Sequence, residues 1–419
     1  MDLIVRNTRL SCDPVAPPVD IGVRDGRIVA IEPGLRAEAR EVYDAGGCMA
    51  CGGFCETHIH LEKSRIIDRC APANGRDAMA VRRISDIKHT FTVEDVVARA
   101  RQTLEACLAN GATRMRAHVE LDPKVGLRGF EGVRRLARDY AWAIDIEICV
   151  FPQEGLTNNP GTDELLVAAL RDGATVVGAA PAYDTDHAAQ IRRIFALGRE
   201  FDVDIDMHLD FGNSPEGMDI HLVCDLTEQY RLGGRVTVGH ATMLSTMKLP
   251  DLKALARRIG DAGVAVTVLP ATDLFLMGRD QTDNIRRGLA DVNLLAAHGV
   301  TCSLSTNNVL NPFTPFGDCS LVRMGNLQAN VCQIGEAGGL REIFAMLTER
   351  SAKLMNLPDY GLKIGNPADI VVVDATSPEQ AIAEISPPLA AFKRGRRTLT
   401  RARPQLHAPE PHALAGATP

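Results

Sequence analysis

The chain has 419 residues, 45% of them apolar and 24% charged, with 53 acidic against 46 basic side chains and a net charge of -7. That usage is globular and long enough for a large core. Mild acidity without a basic run argues against nucleic acid or an anionic membrane as partner, and no run approaches the roughly 20 apolar residues of a membrane span.

The eleven cysteines are odd in number and scattered, which predicts reduced thiols and a cytoplasmic protein. The start, MDLIVRNTRL, carries early charges and lacks the apolar core of a secretory signal. The first fifty residues predict short strands, and IGVRDGRIVAIEPG places apolar runs on both sides of Asp25-Gly26, a hairpin signal. From residue 54, short apolar strands alternate with amphipathic helices. The strands are GFCETHIH, TRMRAHVEL, DIEICVFPQ, TVVGAAP, DIDMHLD, RVTVGHATM, VAVTVLPAT and TCSLSTNN. The helical stretches between them include VEDVVARARQTLEACLAN, with Thr92 as N-cap and Asp95 three residues on, and NIRRGLADVNLLAAHG.

Eight strands each followed by helix predict an α/β fold, a (β/α)8 TIM barrel. An open doubly wound sheet would want a Gly-rich phosphate loop after its first strand, and there is none. GLKIGNPADIVVVDA returns to strand, and PPLAAFKRGRRTLTRA adds another. The expected organisation is a hydrolase-type barrel over 54–361, a small composite β-sandwich from 1–53 and 362–403, and a Pro- and Ala-rich disordered tail over 404–419.

Cys and His crowd the stretch CMACGGFCETHIHLEK. His58 and His60 end the first barrel strand, and strand alternation puts both imidazoles on one face. His208 ends the fifth strand and His240 the sixth, so a closed barrel would gather all four at its C-terminal mouth, where barrel sites lie. Neutral imidazole suits Zn(II), Fe(II) and Co(II). His118 ends the second strand, where a substrate contact and a packed histidine are equally open. Cys48-x2-Cys51 lacks the second Cys/His pair of a structural zinc site. Cys55 faces the strand side opposite His58, so Cys51 and Cys55 are expected to be packing residues. H-x-E occurs in HLE and HVE, but no P-C-x-x-C follows, which sets the cytidine deaminase fold aside.

In combination, DIGVRDGRIVAIEPG, GFCETHIHLEK, CVFPQEG, DMHLD, VTVGHATM, NPFTPFGD and GLKIGNPADIVVVD resemble the amidohydrolase superfamily. PQEG and PFTPFG are similar to the cytosine deaminase-like group within it, and the triazine-acting N-isopropylammelide hydrolases resemble the chain as well. The resemblance implies one divalent metal ion, Zn or Fe, on His58, His60 and His208. A second ion is not implied, because VVGAAPAYD lacks the Lys that two-metal members carry there. His240 would contact or polarise the attacking water. Gln153 would bind the ring edge, since one carboxamide both donates and accepts. Phe211, Phe313 and His118 complete the implied substrate contacts.

Two positions depart from the family pattern. The eighth-strand Asp, which binds metal and shuttles the water proton, falls on Asn307, and a Glu three residues after the fifth-strand His falls on Phe211. Asp210, Glu216 and Asp273 lie near strand ends as candidates for the missing carboxylate. The implied activity is metal-dependent hydrolysis of a non-peptide C–N bond in a small nitrogen heterocycle, a cyclic amidine or cyclic amide. Asn307 and Phe211 keep two alternatives open: a catalytically weakened homologue that binds a heterocycle, and a hydrolase that removes an N-alkyl or thio substituent. Homo-oligomerisation is left open.

Overall fold

Asp25 (φ 50°) and Gly26 (φ 73°) turn the chain between β2 (Val19–Arg24) and β3 (Arg27–Glu32). Arg24 pairs with Arg27 across this turn, and positive φ at both central residues is what a two-residue type I′ hairpin requires. The computed structural model describes residues 1–72, 80–279 and 281–407. β1 (Leu3–Leu10) pairs antiparallel with β2, while β4 (Glu41–Asp44) and β5 (Met49–Gly52) run parallel to β1.

The barrel follows: β6 (Phe54–Ile59), β7 (Ala112–Glu120), β8 (Asp145–Phe151), β9 (Val176–Val177), β10 (Asp204–Leu209), β11 (Val236–His240), β12 (Val264–Val268) and β13 (Cys302–Leu304). Neighbours pair in parallel and in chain order. The intervening helices bury one stripe each; Val93–Ala109 buries Val96, Val97, Ala100, Leu104 and Cys107, and Thr92 caps it by accepting the Asp95 N–H. The sheet closes between β13 and β6. Ile59 bridges to Asn307, the Thr57 N–H donates to Ser305 Oγ at 3.0 Å, and the Ser303 hydroxyl bonds Thr57 Oγ1 at 2.9 Å.

β14 (Ile370–Val373), β15 (Pro388–Lys393) and β16 (Arg396–Thr400) then join β5, so the two chain ends share one sheet ordered β16-β15-β14-β5-β1-β2-β3. Alternation divides its faces. Leu3, Val5, Ile370, Val372 and Phe392 make this sheet's own core, while Met49, Cys51, Val371 and Val373 join the barrel core.

Three details differ from the sequence expectation. Residues 388–400 form two strands about Arg394-Gly395 (φ 48° and 73°), not one. In the stretch 284–299 only Val292–Ala297 is helical, because the Asp291 carboxylate accepts the Leu294 N–H and starts the helix there. Of the expected tail, 404–407 are exposed without helix or strand, and 408–419 lie outside the described residues. Among the described residues, no helix is long and apolar enough to cross a membrane.

Candidate active site

The β6 alternation sends His58 and His60 to the same side, where both are buried. Their Nε2 atoms lie 3.2 and 3.1 Å from His208 Nε2 at the end of β10. Two nitrogens bound to one tetrahedral zinc at about 2.0–2.1 Å stand about 3.3 Å apart, so the triad has the spacing of a metal site. Burial, with the neighbouring histidines adding to it and Lys63 adding at His60 and His208, pushes all three imidazoles well below the ordinary histidine range and keeps them neutral, the form that ligates. His60 Nδ1–H donates to the His118 carbonyl at 3.1 Å, which leaves Nε2 as its free lone pair. Stacking holds the other two rings: His58 lies on His118 at 3.6 Å and His208 on Phe151 at 4.5 Å, both with 19° between planes.

Two further groupings of possible ligands occur among the described residues. In the first, His58 and His118 lie face to face, so their in-plane lone pairs run side by side and do not meet at one point; His118 turns instead toward Asp206, 3.4 Å away, which pairs with Arg116. In the second, Glu120, Asp122 and Glu154 surround the buried ammonium of Lys88, which already occupies the centre.

His240 ends β11 with φ 74°. Its Nδ1–H donates to Asp273 Oδ1 at 2.5 Å, and Asp273 Oδ2 accepts the Leu269 N–H at 3.1 Å. Asp273 is fully buried in the first turn of the helix Pro270–Leu276. With Nδ1 protonated, His240 Nε2 is an acceptor. Phe211 meets this ring edge-on at 5.6 Å. The other two candidate carboxylates do not fill such a role. Asp210 lines the cavity, but its oxygens accept the Asp219 and Ile220 N–H at 2.7 and 3.1 Å; burial lifts its pKa to about 6 against those bonds. Glu216 is exposed and away from the cavity.

A cavity of about 710 Å³, counting its open mouth, lies over the triad. Gln153, His240, Asn307 and Asn308 contribute polar groups, and Leu209, Phe211, Leu276 and Phe313 make apolar wall. Of the expected substrate contacts, Gln153, Phe211 and Phe313 therefore line the space, whereas His118 sits behind His58 and does not. Cys51 and Cys55 are fully buried in apolar clusters, and neither belongs to a ligand group among the described residues.

Sequence reasoning missed Lys63. Its ammonium, buried between the Phe151 and Phe313 rings, donates to Glu120 at 2.7 Å and to Gln153 Oε1 at 3.0 Å. A lysine continuing a strand-end HLEK run, where every neighbour faces the interior, was the available signal. Asp273 was recognised as a nearby carboxylate, not as the partner of His240.

A parallel eight-stranded barrel with three imidazoles converging at its mouth is the build of a metal-assisted barrel hydrolase. Residues 76–401 match the model of the amidohydrolase family, and the chain belongs to that family. It is 25% identical to N-isopropylammelide isopropyl amidohydrolase of Pseudomonas sp. (strain ADP), over 94% of this chain and 96% of the relative. Among solved structures, 5-methylcytosine deaminase of Klebsiella pneumoniae with phosphonocytosine superposes with a TM-score of 0.90 at 25% identity, covering 97% of this chain and 100% of the other. N-isopropylammelide isopropylaminohydrolase of Burkholderia multivorans gives 0.83 at 25% identity, covering 95% and 98%.

Proposed function

We propose that the protein hydrolyses a C–N bond of a small nitrogen heterocycle, a cyclic amidine or cyclic amide, using one divalent ion on His58, His60 and His208. The observation that carries this is the 3.1–3.2 Å convergence of three neutral Nε2 atoms beside a cavity lined by His240 and Gln153. The relatives' named activities on ammelide and methylcytosine support a ring substrate. Zinc and iron both suit three imidazoles.

When bound, the ion polarises water and the atom under attack. The chain's residues do the rest. His240 Nε2 accepts the proton as water adds to the ring carbon, and returns it to the departing nitrogen. Asp273 fixes the tautomer that makes this step available. The Gln153 amide holds the ring edge, while Phe211 and Phe313 exclude bulk water. A non-catalytic binder would have no use for a histidine poised as base by a buried carboxylate. The apolar wall favours a second reading within the same chemistry, removal of an N-alkyl amine from a ring. The free, mostly buried cysteines support a cytoplasmic placement.

Metal-loaded protein incubated with a panel of pyrimidines, pterins and amino-triazines, with ammonia, amine and ring-opened product scored separately, tests the proposal. Turnover of at least one ring, lost in His58→Ala, is expected. Turnover that survives chelation and His58→Ala would refute it.

A further inference from the structure

The direction of the amides around the cavity follows from bonds outside it. Asn311 Oδ1 accepts two backbone N–H groups, from Phe313 at 2.9 Å and Thr314 at 3.1 Å. Its Nδ2 is thereby turned to donate to the Lys63 carbonyl at 3.2 Å and to Asn308 Oδ1 at 2.7 Å. With its oxygen taken, Asn308 donates through Nδ2 to Asn307 Oδ1 at 2.9 Å. Flipping any one amide would set two NH2 groups or two oxygens against each other. The chain of amides ends at Asn307 Nδ2, which is fully buried, has no partner among the described residues and belongs to a side chain that lines the cavity. Gln153 points the same way: its oxygen is held by the Lys63 ammonium, which cannot accept, so its NH2 is the group left for a ligand.

We infer that Asn307 faces the site as a hydrogen-bond donor, stands outside the metal's ligand set, and binds an acceptor atom of the substrate ring; the ring part rests on the function proposed above. An N–H group carries no lone pair for a cation, so Asn307 adds no ligand to the three histidines. The two donors, Asn307 and Gln153, select a heterocycle that presents carbonyl oxygens or unprotonated ring nitrogens. This departs from a carboxylate at the same position, which would ligate the metal and repel those atoms.

Cobalt(II)-loaded protein tests the ligand set, because its visible absorption follows the number and geometry of ligands. Asn307→Gly removes the amide and keeps the left-handed backbone (φ 65°). It should hold cobalt within about 3-fold of wild type with an unaltered spectrum, while Asn307→Asp should tighten cobalt by about 10-fold or more and change the spectrum. Asn307→Asp, nearly isosteric, keeps the test open should the glycine variant not fold: an amide oxygen already on the metal would leave ligand number and spectrum unaltered. That result, or a loss of about 10-fold or more in Asn307→Gly, would overturn the assignment. The second probe is 1,3-dimethyluracil, a ring with acceptors and no N–H. Its affinity should fall by about 3- to 10-fold in Asn307→Gly, and an unchanged affinity would overturn the donor role. Failure of wild type to bind any ring would count against the proposed function, while the cobalt spectra still judge the amide direction alone.

Discussion

Asp273→Asn alters a single atom of the pair that, in the proposed function, makes His240 a base. The Leu269 N–H, 3.1 Å from Asp273 Oδ2, must keep an acceptor in a fully buried setting. The new amide oxygen therefore stays on Leu269, and the new NH2 faces His240 Nδ1, now 2.5 Å from the carboxylate. An NH2 donates, so the imidazole must move its own proton from Nδ1 to Nε2. Nε2 then faces the cavity as a donor and accepts no proton from water. The loss expected is the contribution of a positioned base, roughly 10²–10⁴ in kcat/KM, or about 3–5 kcal/mol of barrier. Both hydrogen bonds survive, the Leu269 bond unchanged and the His240 bond with donor and acceptor exchanged, so the unfolding free energy should move by only about 1 kcal/mol. The measurements are kcat/KM on a ring the wild type turns over, metal content per chain, and a thermal melt. Turnover within about 5-fold of wild type, with metal retained, would show that His240 is not the base and refute the reasoning.

Chelation should abolish turnover, and His58→Ala/His60→Ala should lower metal content from one ion per chain to none by elemental analysis; two tightly held ions would contradict a three-histidine site. Lys88→Met leaves Glu120, Asp122 and Glu154 facing one another in a buried space, and should cost about 3–5 kcal/mol in urea unfolding. Two carboxylates beside Lys63 should titrate in opposite senses. Burial raises Glu120, but Lys63 and Lys88 outweigh it and hold the group down at about 2; burial lifts Glu62 to about 7, Lys63 offsetting only part. Against an unfolded value of about 4.3, Glu120 contributes stability that is complete above that pH and lost as pH falls toward 2. Glu62 contributes below it and loses that contribution as pH rises through 7. Glu120→Gln should therefore be costly near neutrality and less so in acid, while Glu62→Gln should gain on wild type from about pH 5 to about pH 8. Parallel stability curves for the two variants would disprove this.

The histidines were legible because each sits where a strand ends, and a closed barrel leaves strand ends only one place to meet. Asp25-Gly26 and Thr92 were legible for a local reason: a turn and a cap are decided within four residues. The bonds that give the site its chemistry were not. Asp273 reaches His240 from thirty-three residues away, through a helix whose first turn had to land over the mouth. Lys63 has a side chain that ordinarily seeks water, and the placement of Glu120 at the end of β7 and of Gln153 just past the end of β8 keeps it inside. The orientation of Asn307 depends on Asn311 and on two backbone N–H groups beyond it, information no spacing contains. His118 shows the limit within a single strand: alternation put it at the right height, and stacking on His58 took it off the cavity wall.

The seam between β13 and β6 ties the wall of the barrel to its chemistry. Asn307 closes that seam with its own backbone: its N–H donates to the His58 carbonyl and its carbonyl accepts the His60 N–H, both at 2.9 Å, with φ at 65°. Side chains with bulk at Cβ resist this conformation, and Gly, Asn and Asp tolerate it. Among the residues that take this conformation most readily, Gly is silent, Asn donates and Asp is anionic. An exchange of Asn for Asp here changes the charge beside His58 and His60 with almost no change of shape, while a bulkier side chain strains the backbone that closes the seam.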